Sequence, residues 1–200
     1  MPTAPRIPNL PAEQWTPEVE ALFPLMLPPG STARGSDFNS ILVLAQHPGF
    51  ADPYLRFNAM LARASDLPAR LKEIAILRVA WRRGSTYEWV HHALSASRIG
   101  LAGEQLSALM QDVPGPVFTP EERAVIEATD DICLNGGIGD RTWPAISAAL
   151  DTRQVMELLF VAGCYIMLAA ILKTSGAPVE EPVAARFAQA GLPGLDARGQ

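Results

Sequence analysis

Apolar residues in this 200-residue chain recur at the spacing of an α-helix, and proline or glycine separates one apolar stretch from the next. Leu71, Ile74 and Leu77, for example, share one side of a predicted helix. That helix begins after Pro68 and ends at Gly84. No segment alternates apolar and polar residues between hairpin turns, as a half-buried strand would. The sequence therefore predicts an all-α fold, a single compact helical domain of about ten helices.

Local capping signals place several other helix ends. Thr16, which is followed by proline, opens a short helix, and Asp37 is the expected N-cap of the next one. Thr119 and Glu122 have the spacing of a capping box. The helix that they open is expected to end at Gly136.

Prolines are concentrated at the N-terminus, where eight of the eighteen precede residue 30. Because each proline fixes φ and removes a backbone donor, residues 1–15 are expected to form an extended arm that stays loose or wraps a neighbour. We divide the chain into an N-terminal arm with a short helix (1–36), a helical domain (37–178) and a C-terminal helix with a tail (179–200).

The charge balance and the cysteine content exclude several classes of protein. Sixteen Lys and Arg residues against 21 Asp and Glu residues give a net charge of −5, so nucleic acid is not expected as a partner. Cys133 and Cys164 are the two cysteines, and they form no CxxC pair. This spacing excludes a four-cysteine zinc site, a dithiol redox motif and a disulfide framework, and no metal is expected. Reduced thiols fit a cytoplasmic protein.

The longest uncharged apolar run extends from Leu158 to Leu172 and has fifteen residues. A membrane-spanning helix needs about 20 such residues, and the N-terminus lacks the apolar core of a signal peptide. We therefore expect no membrane association, and we interpret the run as a helix buried all round, in a core or a subunit interface. Because its apolar surface is more than a small domain readily hides, we expect a homo-oligomer.

The residues best suited to chemistry lie in the segment 72–92. On a helix that begins at Ser85, Glu88 and His92 are four residues apart and share a face. If the preceding helix packs antiparallel, Glu73 lies about three turns before the intervening glycine and can reach the same region. Imidazole titrates near neutral pH, and a carboxylate can fix its tautomer, so these three side chains form a candidate acid–base group.

Each of these residues also has a structural interpretation that the sequence leaves open. Glu88 stands three residues after Ser85, in the S/T-x-x-E pattern of a capping box, and could serve only to cap its helix. His92 could be a packed and hydrogen-bonded histidine, and Glu73 could pair with a neighbouring basic residue. The aromatic residues, Trp89 among them, suit a core or an interface as well as a substrate cage.

Two stretches of the chain together resemble the carboxymuconolactone decarboxylase family. They are Arg70–Trp81 (RLKEIAILRVAW) and Gly84–His92 (GSTYEWVHH). The family belongs to an all-helical superfamily that also contains the alkylhydroperoxidase-D (AhpD) type proteins, and the resemblance covers about residues 40 to 178. In the peroxidase branch, two cysteines stand where this chain has Ser85 and Glu88. The chain is therefore similar to the thiol-free, decarboxylase-like branch, and thiol peroxidase activity is disfavoured.

The resemblance implies a cofactor-independent lyase that acts on a small carboxylated lactone or a related organic acid from aromatic catabolism. On this hypothesis, His92 is the proton donor, Glu88 is its orienting partner, and Glu73 is the second acid–base group. Dimers, trimers and hexamers occur in the superfamily. The alternative is a non-catalytic or differently acting oligomeric member of the family. The candidates for substrate binding are Tyr87, Arg78, Ser85, His91 and Trp89.

Overall fold

The computed structural model describes residues 4–27 and 38–195, and in these ranges it contains helices and no strand. The prediction of an all-α fold is thus confirmed, whereas the expected N-cap at Asp37 lies outside the described residues. A 3₁₀ turn at Ala12–Gln14 precedes the first α-helix. The α-helices of the described ranges are α1 (Pro17–Glu20), α2 (Phe23–Met26), α3 (Asn39–Leu44), α4 (Pro48–Arg63), α5 (Ala69–Arg83), α6 (Thr86–Arg98), α7 (Gly103–Leu109), α8 (Pro120–Asn135), α9 (Trp143–Ala149), α10 (Thr152–Ser175) and α11 (Glu181–Gln189).

Helix α5 is the centre of the fold and packs against α6, α8 and α10. Its residues from Ile74 to Trp81 are all buried. Gly84 ends the helix with a φ of +62°, a left-handed conformation that glycine adopts without steric penalty. The chain reverses at this glycine, so α6 returns alongside α5.

Buried apolar residues form two clusters. The larger has α5 at its centre and also includes residues of α6, α8 and α10. The smaller joins the N-terminal helices α1 to α4 through residues such as Val19, Phe23, Ile41 and Leu55. Tyr54, on α4, packs against both clusters and therefore marks the seam between them.

Arg78 is completely buried on α5, and all five of its N–H groups are hydrogen-bonded. Its Nε and Nη2 bind the two carboxylate oxygens of Asp130 on α8 at 2.7 and 2.6 Å. The other bonds go to three backbone carbonyls between residues 109 and 112. Arg82 binds the same carboxylate at 2.6 and 2.8 Å. Burial would raise the pKa of Asp130, but the hydrogen bonds from Arg82 and Arg78 outweigh it and hold that pKa below its usual value.

The described part of the N-terminal arm lies against its own chain. The N–H of Ile7 donates to the carbonyl of Ser175 at 3.2 Å, and that of Leu10 donates to the carbonyl of Leu42 at 3.0 Å. From residue 4 onward the arm therefore packs on α3 and the end of α10 and is not loose, whereas its wrapping of a neighbour stays a prediction.

Helix α10 is the longest, with 24 residues. By length and composition it could cross a bilayer, and it is the one such helix in the described part of the chain. One side, with Leu158 and Val161, packs against α5 and α8. On the other side, Met156, Phe160 and Met167 are 45 to 48% exposed. Within a single chain α10 is thus buried on one side only, and burial of its other side in a subunit interface stays a prediction.

We expect Arg78→Met to lower the free energy of unfolding by about 3 kcal/mol, because it leaves three backbone carbonyls without their donor and removes one of the two arginines that bind Asp130. Arg82→Met should lower it less, since Arg82 is partly exposed and Arg78 continues to bind Asp130. Urea denaturation measures the difference, with the exposed residue Arg56, which pairs with Asp52, changed to Met as the control. Equal stabilities of the Arg78 and Arg56 variants would refute this role.

Candidate functional site

A cavity of about 180 Å³ lies at the seam between the two hydrophobic clusters. Helices α3 and α4 contribute one part of its lining, and α6 and α10 contribute another. Apolar side chains make up much of the surface, and they are Met26, Phe38, Ile41, Leu44, Leu55 and Leu168. Helix α6 contributes four polar residues to the lining, which are Tyr87, Glu88, His91 and His92. All four are among the candidates that the sequence predicts.

His92 is hydrogen-bonded to Glu73 across the α5–α6 pair, with 2.8 Å between Nδ1 and Oε2. The contact confirms that the two helices form an antiparallel hairpin. The imidazole also packs edge-to-face on Tyr165 of α10, with ring centroids 4.9 Å apart. Burial lowers the pKa of His92, but the charge and hydrogen bond of Glu73, together with the charge of Glu88, outweigh it, so the pKa is raised. Since Nδ1 is bonded to Glu73, Nε2 is the nitrogen available to a ligand.

Glu88 is 2% exposed and lines the cavity, but neither of its carboxylate oxygens has a hydrogen-bond partner among the described residues. The capping box is not formed, because the N–H of Ser85 donates instead to the carbonyl of Ala80 at 2.8 Å. Burial raises the pKa of Glu88 to about 7, although the nearby Ser85 hydroxyl and His92 offset part of the rise. The carboxyl group is therefore close to half-ionised at neutral pH.

These contacts exchange the roles expected for the two glutamates. Glu73, expected as a second acid–base group, is the partner that orients His92. Glu88, expected as that partner or as a helix cap, is the unpaired carboxyl group of the cavity. The physical reason is geometric: an i, i+4 pair shares a helix face, but Nδ1 of His92 lies against the neighbouring helix.

A second hydrogen-bonded group, centred on Glu180, lies beside α3. Its Oε2 is 2.7 Å from Nε2 of His91, and its Oε1 accepts hydrogen bonds from the Tyr87 hydroxyl and from the N–H of Asn39. The rings of Tyr87 and His91 stack with centroids 4.5 Å apart. Burial would raise the pKa of Glu180, but the bonds from His91, Tyr87 and Asn39 hold it at about 2. Glu180 was missed because no local motif marks it; packing of α11 on α6 brings it to the site.

Buried polar side chains of α4 and α10 complete the site, and they too were missed. Cys164 Sγ is 3.5 Å from Nδ2 of Asn58 and 3.6 Å from the hydroxyl of Tyr54. Burial raises the pKa of the Cys164 thiol and of the phenols of Tyr54 and Tyr165, so all three are neutral at pH 7. An asparagine on the apolar side of a predicted helix was the available signal, since a buried amide needs partners.

Three of the predicted substrate-binding residues do not line the cavity. Arg78 is removed from that set because Asp130 and backbone carbonyls occupy all its donors. Trp89 is fully buried, and its Nε1 donates to the carbonyl of Pro193 at 2.8 Å. Ser85 is buried at the start of α6. The lining residues in the described part of the chain include no lysine or arginine, and no group of three metal-ligating side chains occurs there.

Residues 48–131 match the sequence model of the carboxymuconolactone decarboxylase family. The matched segment extends from the start of α4 into α8, and it contains Glu73, Glu88 and His92. No match was found among curated proteins.

Solved structures with the same fold share little sequence with this chain. A variant of the debrominase Bmp8, in complex with 2,3,4-tribromopyrrole, is 14% identical over 94% of this chain and 99% of its own, with a TM-score of 0.73. An AhpD-core, peroxidase-related protein from Ralstonia eutropha is 12% identical over 72% of this chain and 78% of its own, with a TM-score of 0.64. A protein of unknown function from Agrobacterium tumefaciens, for which an AhpD role has been suggested, is 15% identical over 67% of this chain and 92% of its own, with a TM-score of 0.63.

At these identities the structural similarity shows the fold alone, and the matched segment is a sequence similarity to the family. Over residues 48–131 the chain is therefore similar to the carboxymuconolactone decarboxylase family, and its fold is that of the AhpD-like proteins.

Proposed function

We propose that this protein is a cofactor-independent lyase or isomerase that transfers protons on a small ring compound. The observation that carries the proposal is Glu88, a buried and unpaired carboxyl group that lines the cavity beside the Glu73–His92 pair. A general acid or base is most effective when its pKa lies near the working pH, and the pKa of Glu88 is about 7. Such a combination of burial and a shifted pKa is typical of catalytic groups.

The two acid–base groups have distinct roles in this proposal. The hydrogen bond from Nδ1 to Glu73 keeps the proton of neutral His92 on that nitrogen and leaves Nε2 as an acceptor. When Nε2 takes a proton from the substrate, the carboxylate of Glu73 stabilises the imidazolium. Protonated Glu88 then returns a proton to another atom of the ring. The starting state is restored when the imidazolium of His92 loses its proton to water and the carboxylate of Glu88 takes one from water. The net result is a proton shift, which needs neither a metal nor an organic cofactor.

A carboxylated lactone from aromatic catabolism is the substrate class that the family resemblance implies. Its decarboxylation would break the carbon–carbon bond to the carboxylate and leave the electron pair on the ring. A proton from Glu88 would form the new C–H bond, and water would then reprotonate the side chain. Because the described lining offers such a carboxylate no lysine or arginine, it would have to bind while Glu88 is protonated.

The cavity volume supports a substrate of one ring. An apolar cavity of about 150 Å³ in another protein binds benzene, and the cavity here is about 180 Å³. The debrominase structure, in which the same fold is in complex with a single substituted pyrrole, is compatible with this size.

A non-catalytic role is the alternative, and the site geometry favours the enzyme. In a non-catalytic protein, Glu88 would bond the Ser85 backbone and His92 would face bulk solvent. Glu88 instead lines the cavity without a partner, and the side chain of His92 is 20% exposed.

Glu88→Gln and His92→Gln are each expected to lower turnover by roughly 10² to 10⁴-fold, as loss of a general acid or base does. Lactones and cyclic enols, with and without a carboxyl group, can be followed by NMR in D2O, which reports CO2 release and deuterium uptake together. His47 is exposed and does not line the cavity, so His47→Gln is the control and should keep the turnover of the unchanged protein. Unchanged turnover in both site variants, or no deuterium uptake with any compound, would contradict the proposal.

The raised pKa of Glu88 also predicts how stability depends on pH. The folded protein binds this proton more tightly than the unfolded chain, so the stabilisation is complete below pH 4.5 and is lost as the pH rises through about 7. Glu88→Gln removes the titrating group and therefore this loss of stability. The thermal stability of the variant relative to the unchanged protein should be higher at pH 8 than at pH 5. Thermal unfolding at both pH values tests this, with the exposed Glu127 changed to Gln as the control. The same pH dependence in both variants would argue against it.

We further propose that α10 joins two copies of this chain. The exposed residues Met156, Phe160, Gly163, Met167 and Ala170 follow one another at intervals of four and three, the spacing of a helix–helix seam. The stripe is about 21 Å long at the rise of an α-helix. Because a two-fold axis brings identical surfaces together, a second copy can cover it with the same residues.

Light scattering after gel filtration tests this assembly. The unchanged protein should have a multiple of the 21.5 kDa chain mass, and Phe160→Glu should shift it towards the monomer, because the charge cannot be buried in the seam. Leu134→Glu, on an exposed apolar residue of α8, is the matched control and should leave the mass unchanged. A monomeric unchanged protein would exclude the proposed assembly.

A further inference from the structure

We infer that the substrate of this site is an uncharged single-ring compound with a hydroxyl or ring N–H group, and that this polar hydrogen binds the carboxylate of Glu88. The inference rests on the proposed function and narrows its substrate class. It does not require the carboxylated substrate that the family resemblance implies.

The first argument is the missing partner of Glu88. The side chain is 2% exposed, both of its oxygens are buried, and neither accepts a hydrogen bond from the described residues. Buried carboxylate oxygens nearly always have a donor in a folded protein, because desolvation without one is unfavourable. Since Glu88 lines the cavity, a ligand there is placed to supply the O–H or N–H donor.

The second argument is the charge around the cavity. His92 is bonded to Glu73, and His91 is bonded to Glu180, so each imidazole already faces a carboxylate. Glu88 adds a third carboxyl group, without a matching cation among the described lining residues. Three carboxylates outnumber the two imidazoles even when both imidazoles are protonated, so the site is negative when Glu88 is ionised and a ligand carboxylate would be repelled.

The third argument is the shape of the lining. The stacked rings of Tyr87 and His91 lie on α6. His92 and Tyr165, perpendicular to each other, lie on α6 and α10. All four residues line the cavity and surround a space that holds about one ring. The walls thus favour a flat ring, while Glu88 selects among flat rings by the donor that they present.

Phenol, anisole and benzoate form a set of probes of similar size that differ in this one property. Phenol is uncharged at pH 8 and has a donor, anisole has no donor, and benzoate has a carboxylate. We expect phenol to bind about tenfold more tightly than anisole at pH 8, as a charge-assisted hydrogen bond would give. The preference for phenol over anisole should become smaller at pH 5.5, where Glu88 is protonated. Benzoate should not bind at pH 8, and any binding of benzoate should occur only at pH 5.5. Titration calorimetry or ligand-observed NMR gives the affinities.

Two variants assign the preference to Glu88. Glu88→Gln keeps an acceptor but loses the charge, so the phenol preference should fall to about two- to threefold. Glu88→Leu should abolish it while anisole still binds, which shows that the cavity is intact. Glu127→Gln is the matched control and should bind all three probes as the unchanged protein does.

The inference is overturned if benzoate binds as tightly as phenol at pH 8, if phenol does not bind, or if Glu88→Leu keeps the preference. The binding experiment tests this inference, and the turnover experiment tests the proposed function, so the two can fail independently. Phenol selectivity without deuterium uptake by any compound would overturn the proposed function alone. Turnover of a carboxylated lactone without phenol selectivity would overturn this inference alone.

Discussion

The hydrogen bond between Glu73 and His92 is the interaction on which the site depends. It joins the two helices on either side of Gly84, and it fixes both the tautomer of the imidazole and the position of α6. With α6 held in this way, Glu88, one turn before His92, is kept in the cavity lining and not at the surface. One contact between side chains thereby positions both of the proposed acid–base groups, His92 and Glu88.

A different interaction fixes α5 on its other side. Arg78 is five residues after Glu73, which places the two side chains about 140° apart around the helix. Arg78 and Arg82 hold Asp130 of α8, while Glu73 holds His92 of α6. The central helix therefore carries an ion-pair network on one side and the Glu73–His92 pair on the other. This division explains why a buried arginine near the motif has no donor left for a substrate.

Glu88 is the point where local sequence preference and the final structure disagree. Its position after Ser85 favours a capping box, which would satisfy both groups. In the fold the box is not formed, and two buried oxygens and a buried hydroxyl stay without partners. Departures of this kind concentrate at functional sites, since a ligand can supply a hydrogen-bond donor that the folded chain does not provide. The proposed acid–base role and the inferred donor on the substrate both derive from this unpaired carboxyl group.

The sequence by itself determined the helices, the turn at Gly84 and the encounter of Glu73 with His92, because periodicity, capping and a short hairpin act over a few residues. The tertiary structure decided which side chains line the cavity. Arg78 finds Asp130 fifty-two residues away, and Glu180 reaches His91 across eighty-nine. No local pattern encodes such partners, since they depend on how helices distant in sequence pack together. For the same reason, only packing could show that the buried oxygens of Glu88 make no hydrogen bond within the described residues.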